Sequence, residues 1–261
     1  MRLFRKKEKQ TEQKKLWLEE LELDTSSWFQ VFSACLGKML TVQTAFAELP
    51  FRGNDWNVNF SIGVIRFGDA EFPIQYLGSE SSVSNTWLWG WKNVNGLSDQ
   101  LLQVANELHE AGKRWKLEPL TVETFTLDEA FNGHSLSIVA CGLEDGYCYY
   151  RCPHAKGAAF VAVSGLPESV FAPVSIKQFV STTMECIEKY HVDHKLFVEG
   201  FLTWNKTPFT WSEQTLTAHF RHDIGIEFEQ VEGFWRIASF KGLNAEDLSE
   251  SLDQTEPPEN D

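Results

Sequence analysis

Across residues 28–47 the apolar side chains Trp28, Phe32, Cys35, Met39, Val42 and Phe46 recur at steps of three or four. That spacing predicts an amphipathic helix with a broad apolar face. Ser27, followed three residues later by Gln30, gives the sequence form of a capping box at its start. The period then drops to two. In WNVNFSI (56–62), Trp56, Val58, Phe60 and Ile62 alternate with polar residues, and VIRFGDAEFPIQYLG (64–78) reads as strand, Gly-Asp turn, strand. Phe72, Ile74 and Tyr76 share one face of the second strand. Pro73 lacks an amide hydrogen, which predicts a strand start or an edge position.

The next segment, NTWLWGW (85–91), spaces Trp87, Trp89 and Trp91 by two. As a strand it sends all three indoles to one side and Leu88, Gly90 and Lys92 to the other. An exposed ladder of indoles would be an apolar patch that soluble proteins seldom leave bare. The expectation is therefore a ladder facing the core beneath the helix of 28–47, with Gly90 admitting a close neighbour on the opposite face. The functional alternative is a partly open aromatic trough that stacks a sugar, base or peptide side chain. Its candidate binding residues are Trp87, Trp89, Trp91, Trp56 and Tyr76.

Further along, Ser98 is placed to cap a helix through Leu101, Leu102, Val104, Ala105 and Leu108, with Gly112 as its stop. HSLSIVACGLEDGYCYYRC (134–152) reads as a hairpin turning at Glu144-Asp145-Gly146, and AAFVAVSG (158–165) as its third strand. Pro167 and Pro173 bracket a linker. Ser175 and Gln178 open a helix carrying Ile176, Phe179, Val180, Ile187 and Tyr190, and Asp193 caps a shorter one through Leu196, Phe197 and Phe201. A last meander runs from Thr215 to Phe240, turning at Glu232-Gly233. The predicted class is α+β, with antiparallel β-meanders alternating with amphipathic helices that pack on one sheet face. The organisation reads as a basic mobile tail over 1–24, a helix plus antiparallel sheet with the tryptophan strand over 25–166, helices plus a C-terminal meander over 167–242, and an acidic disordered tail over 243–261. The two middle regions are long enough to share one core.

Charge narrows the partners. The 261-residue chain has a formal net charge of −14, which repels phosphate backbones and argues against nucleic acid. The basic residues cluster in 1–15, where Leu3 and Phe4 beside Arg2, Arg5, Lys6 and Lys7 make weak membrane-surface contact conceivable, with a solvated tail the simpler reading. No apolar run reaches the length of a membrane span, and the N-terminus has no apolar signal core. Five cysteines at irregular spacing suggest a reduced, cytoplasmic protein with buried thiols.

Chemical signatures are sparse. Cys148 and Cys152 lie four apart with His154 two further on, and on a strand both thiols face one side. A zinc site could use them, but the spacing fits no standard knuckle and lacks a fourth ligand, so paired buried thiols are the favoured reading. His191 and His194 share a face if helical; His219 and His222 point oppositely if extended. Asp55 and Asp69, near Glu71, could act as acid and base, yet turn aspartates that bond their own backbone explain Asp69 as well. No zinc-protease helix, nucleophile elbow, phosphate loop or dinucleotide fingerprint is present. No cofactor is implied.

WLWGWKN (87–93), preceded by FPIQYLGSES (72–81), resembles a bacterial family known only as a domain of unknown function, whose members carry a Trp-Leu-Trp-x-Trp-x-Asn strand. The likeness is good from Trp28 to Asn93 and fades after it; DHKLFVEGFL (193–202) is similar to a short helix in the family's C-terminal part. The charged tails, and the middle hairpin with Cys148 and Cys152, have no counterpart in that resemblance. It implies no catalytic residues. The leading expectation is a non-enzymatic cytoplasmic module that binds a partner protein or a small apolar ligand through the aromatic sheet or a groove beside it. The competing one is a hydrolase or transferase whose carboxylates and histidines converge near the tryptophans.

Overall fold

The computed structural model describes residues 16–248; the basic segment 1–15, on which the membrane reading rests, and the chain end beyond Leu248 lie outside the described residues. Helix α1 (Trp28–Ala47) starts where its cap predicts, with Ser27 Oγ accepting from Gln30 N. The return half of the box is replaced: Gln30 Oε1 accepts from Asp24 N at 2.7 Å. Strands β1 (Trp56–Asn59), β2 (Val64–Phe67) and β3 (Ala70–Ser81) form the expected meander, followed by β4 (Thr86–Trp89), α2 (Gln103–Trp115) and β5 (Thr124–Thr126). Then come α3 (Gly133–Leu143), β6 (Cys148–His154) and β7 (Gly157–Val163). The C-terminal part comprises α4 (Ile176–Lys189), α5 (His194–Trp204), a meander β8 (Phe209–Ser212), β9 (Thr215–His219), β10 (Asp223–Val231) and β11 (Phe234–Lys241), and the single turn α6 (Ala245–Leu248).

Every strand pairing among the described residues is antiparallel, and the class is α+β. One sheet has seven strands, with β1-β2-β3-β4-β5 in order and the β6–β7 hairpin joined to it through β7 against β3. The other has the order β11-β10-β9-β8. Helices α1 and α5 connect them: α1 lies against α3, α5 and β6, and α5 lies against β11. Their backbones nearly touch, because a Cβ on Gly200 would fall 2.2 Å from the Ala34 carbonyl oxygen. Buried side chains from both halves of the chain merge into one core. No helix among the described residues is long and apolar enough to cross a membrane.

Four local expectations are corrected. Residues 133–143 are helical, not the first arm of a hairpin; nearly every side chain there is buried, and a short apolar run buried all round carries no period that separates helix from strand. The deciding signal is the capping box, in which Asn132 Oδ1 accepts from Ser135 N, while Ser135 Oγ accepts from Asn132 N and donates to Ala130 O. Glu144-Asp145-Gly146 therefore joins helix to strand, and the hairpin turn lies at Ala155-Lys156 between β6 and β7. Helix α2 begins after a separate turn at Asp99–Leu101 and ends with Lys116 in the left-handed region, while Gly112 sits inside it, where a Cβ would meet Leu120 at 2.6 Å. Pro73 is the fourth residue of β3, at the point where pairing to β2 ends (Val64 opposite Pro73) and pairing to β7 begins (Ile74 opposite Val163).

The flanks also differ from simple tails. Leu16 and Leu18 are buried, and Trp17 Nε1 donates to Gly142 O at 2.9 Å, so the stretch 1–24 includes residues packed on the body. At the other end α6 holds Asp247 against Arg221 Nη2 (3.2 Å) and His222 Nε2 (3.1 Å), so 243–261 is ordered at its beginning.

The most consequential polar contact is buried. Lys38, 1% exposed, sends its ammonium to Gly142 O (3.0 Å), Glu144 O (2.7 Å) and the exposed Asp145 Oδ1 (3.2 Å). These are the last carbonyls of α3 and its exit, where the helix dipole favours a cation. Replacing Lys38 by Met keeps the stem but leaves Glu144 O without that donor. Lys38→Met is expected to lower unfolding free energy by about 2–3 kcal/mol, read from urea midpoints. An unchanged midpoint refutes the clasp.

His194 is buried at the first position of α5, and its Nδ1 accepts from Ile237 N at 3.1 Å. Burial, reinforced by Arg236, pulls its pKa from 6.5 to about 4. Between those values the unfolded chain binds the proton and the folded chain does not. The contribution is thus complete above pH 6.5 and falls away as pH drops towards 4, by on the order of 2–3 kcal/mol. In His194→Asn, whose amide oxygen can replace Nδ1 as acceptor, this part of the stability–pH curve should flatten; a curve as steep as the parent's rules the assignment out.

Candidate functional site

Strand β4 ends at Trp89, so the indole ladder has two members. Trp87 is 0% and Trp89 1% exposed. Trp87 meets Trp89 edge-on at 5.3 Å and Phe160 of β7 at 5.5 Å, and Gly78 opposite makes room, since a Cβ there would sit 2.4 Å from the Trp87 ring. The helix over this cluster is α3, not α1: Gly133 faces the Phe160 ring so closely that a Cβ would fall 2.2 Å from it. Trp91 leaves the strand altogether. Gly90–Lys92 is a 3₁₀ turn, Asn93 adopts the left-handed region at φ 48°, and Trp91 stacks on His109 of α2 at 3.8 Å and 8°. Gly90 admits the Tyr76 carbonyl, as the need for a close neighbour predicts.

The other two binding candidates pack on aromatic neighbours. Tyr76 is 7% exposed and packs edge-on against Phe60; Trp56 is half-buried against Tyr150. Cys148 and Cys152 are buried on β6, where desolvation raises both thiol pKa values, Cys152 to about 12. His154 is exposed at the end of β6 and its Nδ1 accepts from Lys156 N. Among the described residues no group of three or more His, Cys, Asp or Glu is placed to hold a metal ion. Asp55 and Asp69 are exposed beside the β2–β3 turn, with Gly68 N bonded to Asp55 O. Glu71 pairs with Arg66. His219 bonds Asp223, His222 bonds Asp247, and His191, outside either helix, packs between Phe29 and Phe234.

A different set of aromatic residues reaches the surface. A groove of about 800 Å³ opens where α1, α3, β6 and the end of α4 meet. From α1 it is lined by Trp28, Phe29 and Phe32, the first turn and the next residue on the same side (i, i+4). Trp28 stacks on Phe32 at 6.4 Å and 21°, and leans on Phe131 at 5.3 Å. From α3 come His134, Ser135 and Ile138; from β6, Tyr149; from the chain after α4, Tyr190 and His191. The loop holding Glu129, Ala130 and Asn132 forms the rim. Asp128 Oδ1 shapes that loop by accepting from Ala130 N and Phe131 N.

One polar pair belongs to the lining. His134 Nδ1 lies 3.2 Å from Tyr149 Oη. Tyr149 is fixed by its backbone, which exchanges two hydrogen bonds with the Gln43 amide of α1 at 3.1 and 3.2 Å. Burial raises the Tyr149 phenol and lowers the His134 imidazole, so both favour their neutral forms. Outside the lining, Arg151 grips Glu80 Oε1 through Nε (2.9 Å) and Nη2 (2.7 Å), and both charges act on His134. Sequence reading missed this groove because its members come from four distant segments. Only the 28, 32 spacing of bulky aromatics hinted at it, and those side chains were read as core.

A family model described as a family of unknown function (DUF6882) matches residues 30–166. The match runs past Asn93 through the β6–β7 hairpin with Cys148 and Cys152, further than the resemblance read from sequence, and stops short of 193–202. Searches of curated proteins and of solved structures returned no match.

Burial separates the two aromatic sets experimentally. Trp89→Ala opens a core cavity and strips Pro119 O of the indole donor at 2.8 Å; about 3–5 kcal/mol of stability should be lost. Trp28→Ala at the groove should cost less than half as much. Equal losses in chemical denaturation contradict the division.

Proposed function

The chain belongs to this family, whose description names no activity, and we propose that it is a non-enzymatic binding protein that takes a small, largely apolar ligand in the groove between α1 and α3. The observation that carries the reading is the convergence of Trp28, Phe29, Phe32, Tyr149 and Tyr190, all partly exposed, on one concavity. Ligand sites are commonly concave, mostly apolar and within the size range of this groove, with a few polar groups fixing orientation. His134 and Asn132 supply such groups. The net charge of −14 supports excluding nucleic acid as the partner. Five unpaired, buried thiols support placing the protein in a reducing, cytoplasmic setting, and the tryptophan-strand signature is consistent with a bacterial origin within the family.

The groove can be plugged without touching the core. Ala130 is exposed on the rim, and Ala130→Trp should fill the opening at little cost in stability. Titration with 1-anilinonaphthalene-8-sulfonate, a small apolar fluorophore, should give a saturable, blue-shifted signal with the parent chain. Ala130→Trp and Phe32→Ala should each weaken it at least fivefold. A signal insensitive to both changes removes the groove as the site.

A further inference from the structure

Which apolar ligands fit is a question of the one polar pair that faces them. Tyr149 Oη and His134 Nδ1 are 3.2 Å apart, and which atom donates determines what the imidazole offers on its other side. A phenol hydroxyl is the stronger acid of the two, and a neutral imidazole nitrogen the stronger base. Tyr149 therefore donates to Nδ1, and the proton of the neutral ring resides on Nε2. The environment supports neutrality of both: burial lowers the imidazole pKa, with Arg151 acting in the same sense and Glu80 opposing, while burial raises the phenol. Glu80 is itself engaged by Arg151 and partly neutralised.

Nδ1 is the ring nitrogen bonded to the protein, and no partner to Nε2 is found among the described residues. His134 lines the groove and is exposed there. The ring is held in place by edge-on contacts with Phe160 (5.5 Å, 88°) and Tyr149 (5.8 Å, 67°), so the donor it presents is oriented before any ligand arrives. Trp28 and Phe32, whose rings lie nearly parallel to each other, line the same groove.

We infer that the groove selects planar apolar molecules bearing a hydrogen-bond acceptor, a carbonyl or carboxylate oxygen, which stacks its ring on Trp28 and Phe32 and accepts from His134 Nε2–H. This rests on the binding reading above and deepens it. A ligand whose only polar group is a donor leaves Nε2–H unpaired and brings a second donor to it, a mismatch that binding sites punish strongly.

The test uses the full chain and four naphthalene probes: 2-naphthoate, 2-naphthamide, 2-methylnaphthalene and 2-naphthylmethylammonium, titrated by ligand-observed NMR at pH 7.5. The expected result is that the naphthoate and the naphthamide each bind at least tenfold more tightly than the ammonium probe and at least threefold more tightly than 2-methylnaphthalene. Naphthoate well ahead of naphthamide identifies an acid as the natural class; parity identifies a neutral carbonyl; both support the proposal. His134→Leu should abolish the preference. His134→Gln, whose amide nitrogen can stand near Nε2, should restore most of it, which separates loss of the donor from loss of the fold. If all four probes bind alike, or His134→Leu keeps the order, the inference is overturned and the groove reading survives. If none binds, both fall.

Discussion

The Lys38 ammonium is the contact on which the rest of the structure turns. It is a charge in the interior, and it is tolerable only because the last carbonyls of α3 and its exit receive it. The contact fixes more than stability. Lys38 lies ten residues beyond Trp28, and Gly142 lies ten beyond Asn132, so each helix runs about 15 Å from the clasp back to its start. The two helices meet again at their starts, so they run in the same sense. That is where Trp28 meets Phe131 and where the groove opens. Trp17 donates to the same Gly142 carbonyl and ties the N-terminal turn into the same junction.

The aromatic residues fall into two populations that composition could not distinguish. Trp87, Trp89 and Phe160 are sealed between sheet and helix and meet edge to face, the arrangement in which ring quadrupoles attract. Trp28, Phe29 and Phe32 sit on the same helix as the sealed Val31, Cys35 and Met39, turned towards the groove that α1 shares with α3 and β6. One broad apolar face thus serves both as core and as groove wall.

Much of the fold was legible because period and capping agree where elements are amphipathic. Helix α1, the β1–β3 meander, α4 with its Ser175–Gln178 box, α5 with Asp193 at its cap and the last meander all carry a polar face that reveals the repeat. Helix α3 lacks one. Enclosed by sheet and helix, it shows only apolar and small residues apart from His134, and its strand-like run hid the Asn132–Ser135 cap that defines it. Strand β4 shows a second limit: alternation continues to Trp91, but Gly90 and the left-handed Asn93 end the strand first. The groove was illegible for a different reason. His134 and Tyr149 fall in one segment, but their pairing exists only because that segment is helix followed by strand rather than hairpin.

Strand β3 pairs with β2, β4 and β7, and near its middle a bulge between Tyr76 and Gly78 shifts its register against β7. A residue gained or lost there would displace three ladders together and rotate half the sheet's side chains to the wrong surface. The turns at 82–85 and 155–156 join neighbouring strands without sharing that burden. Over evolutionary time, then, variation in length belongs in those turns, and β3 acts as the ruler against which the family's domain is measured.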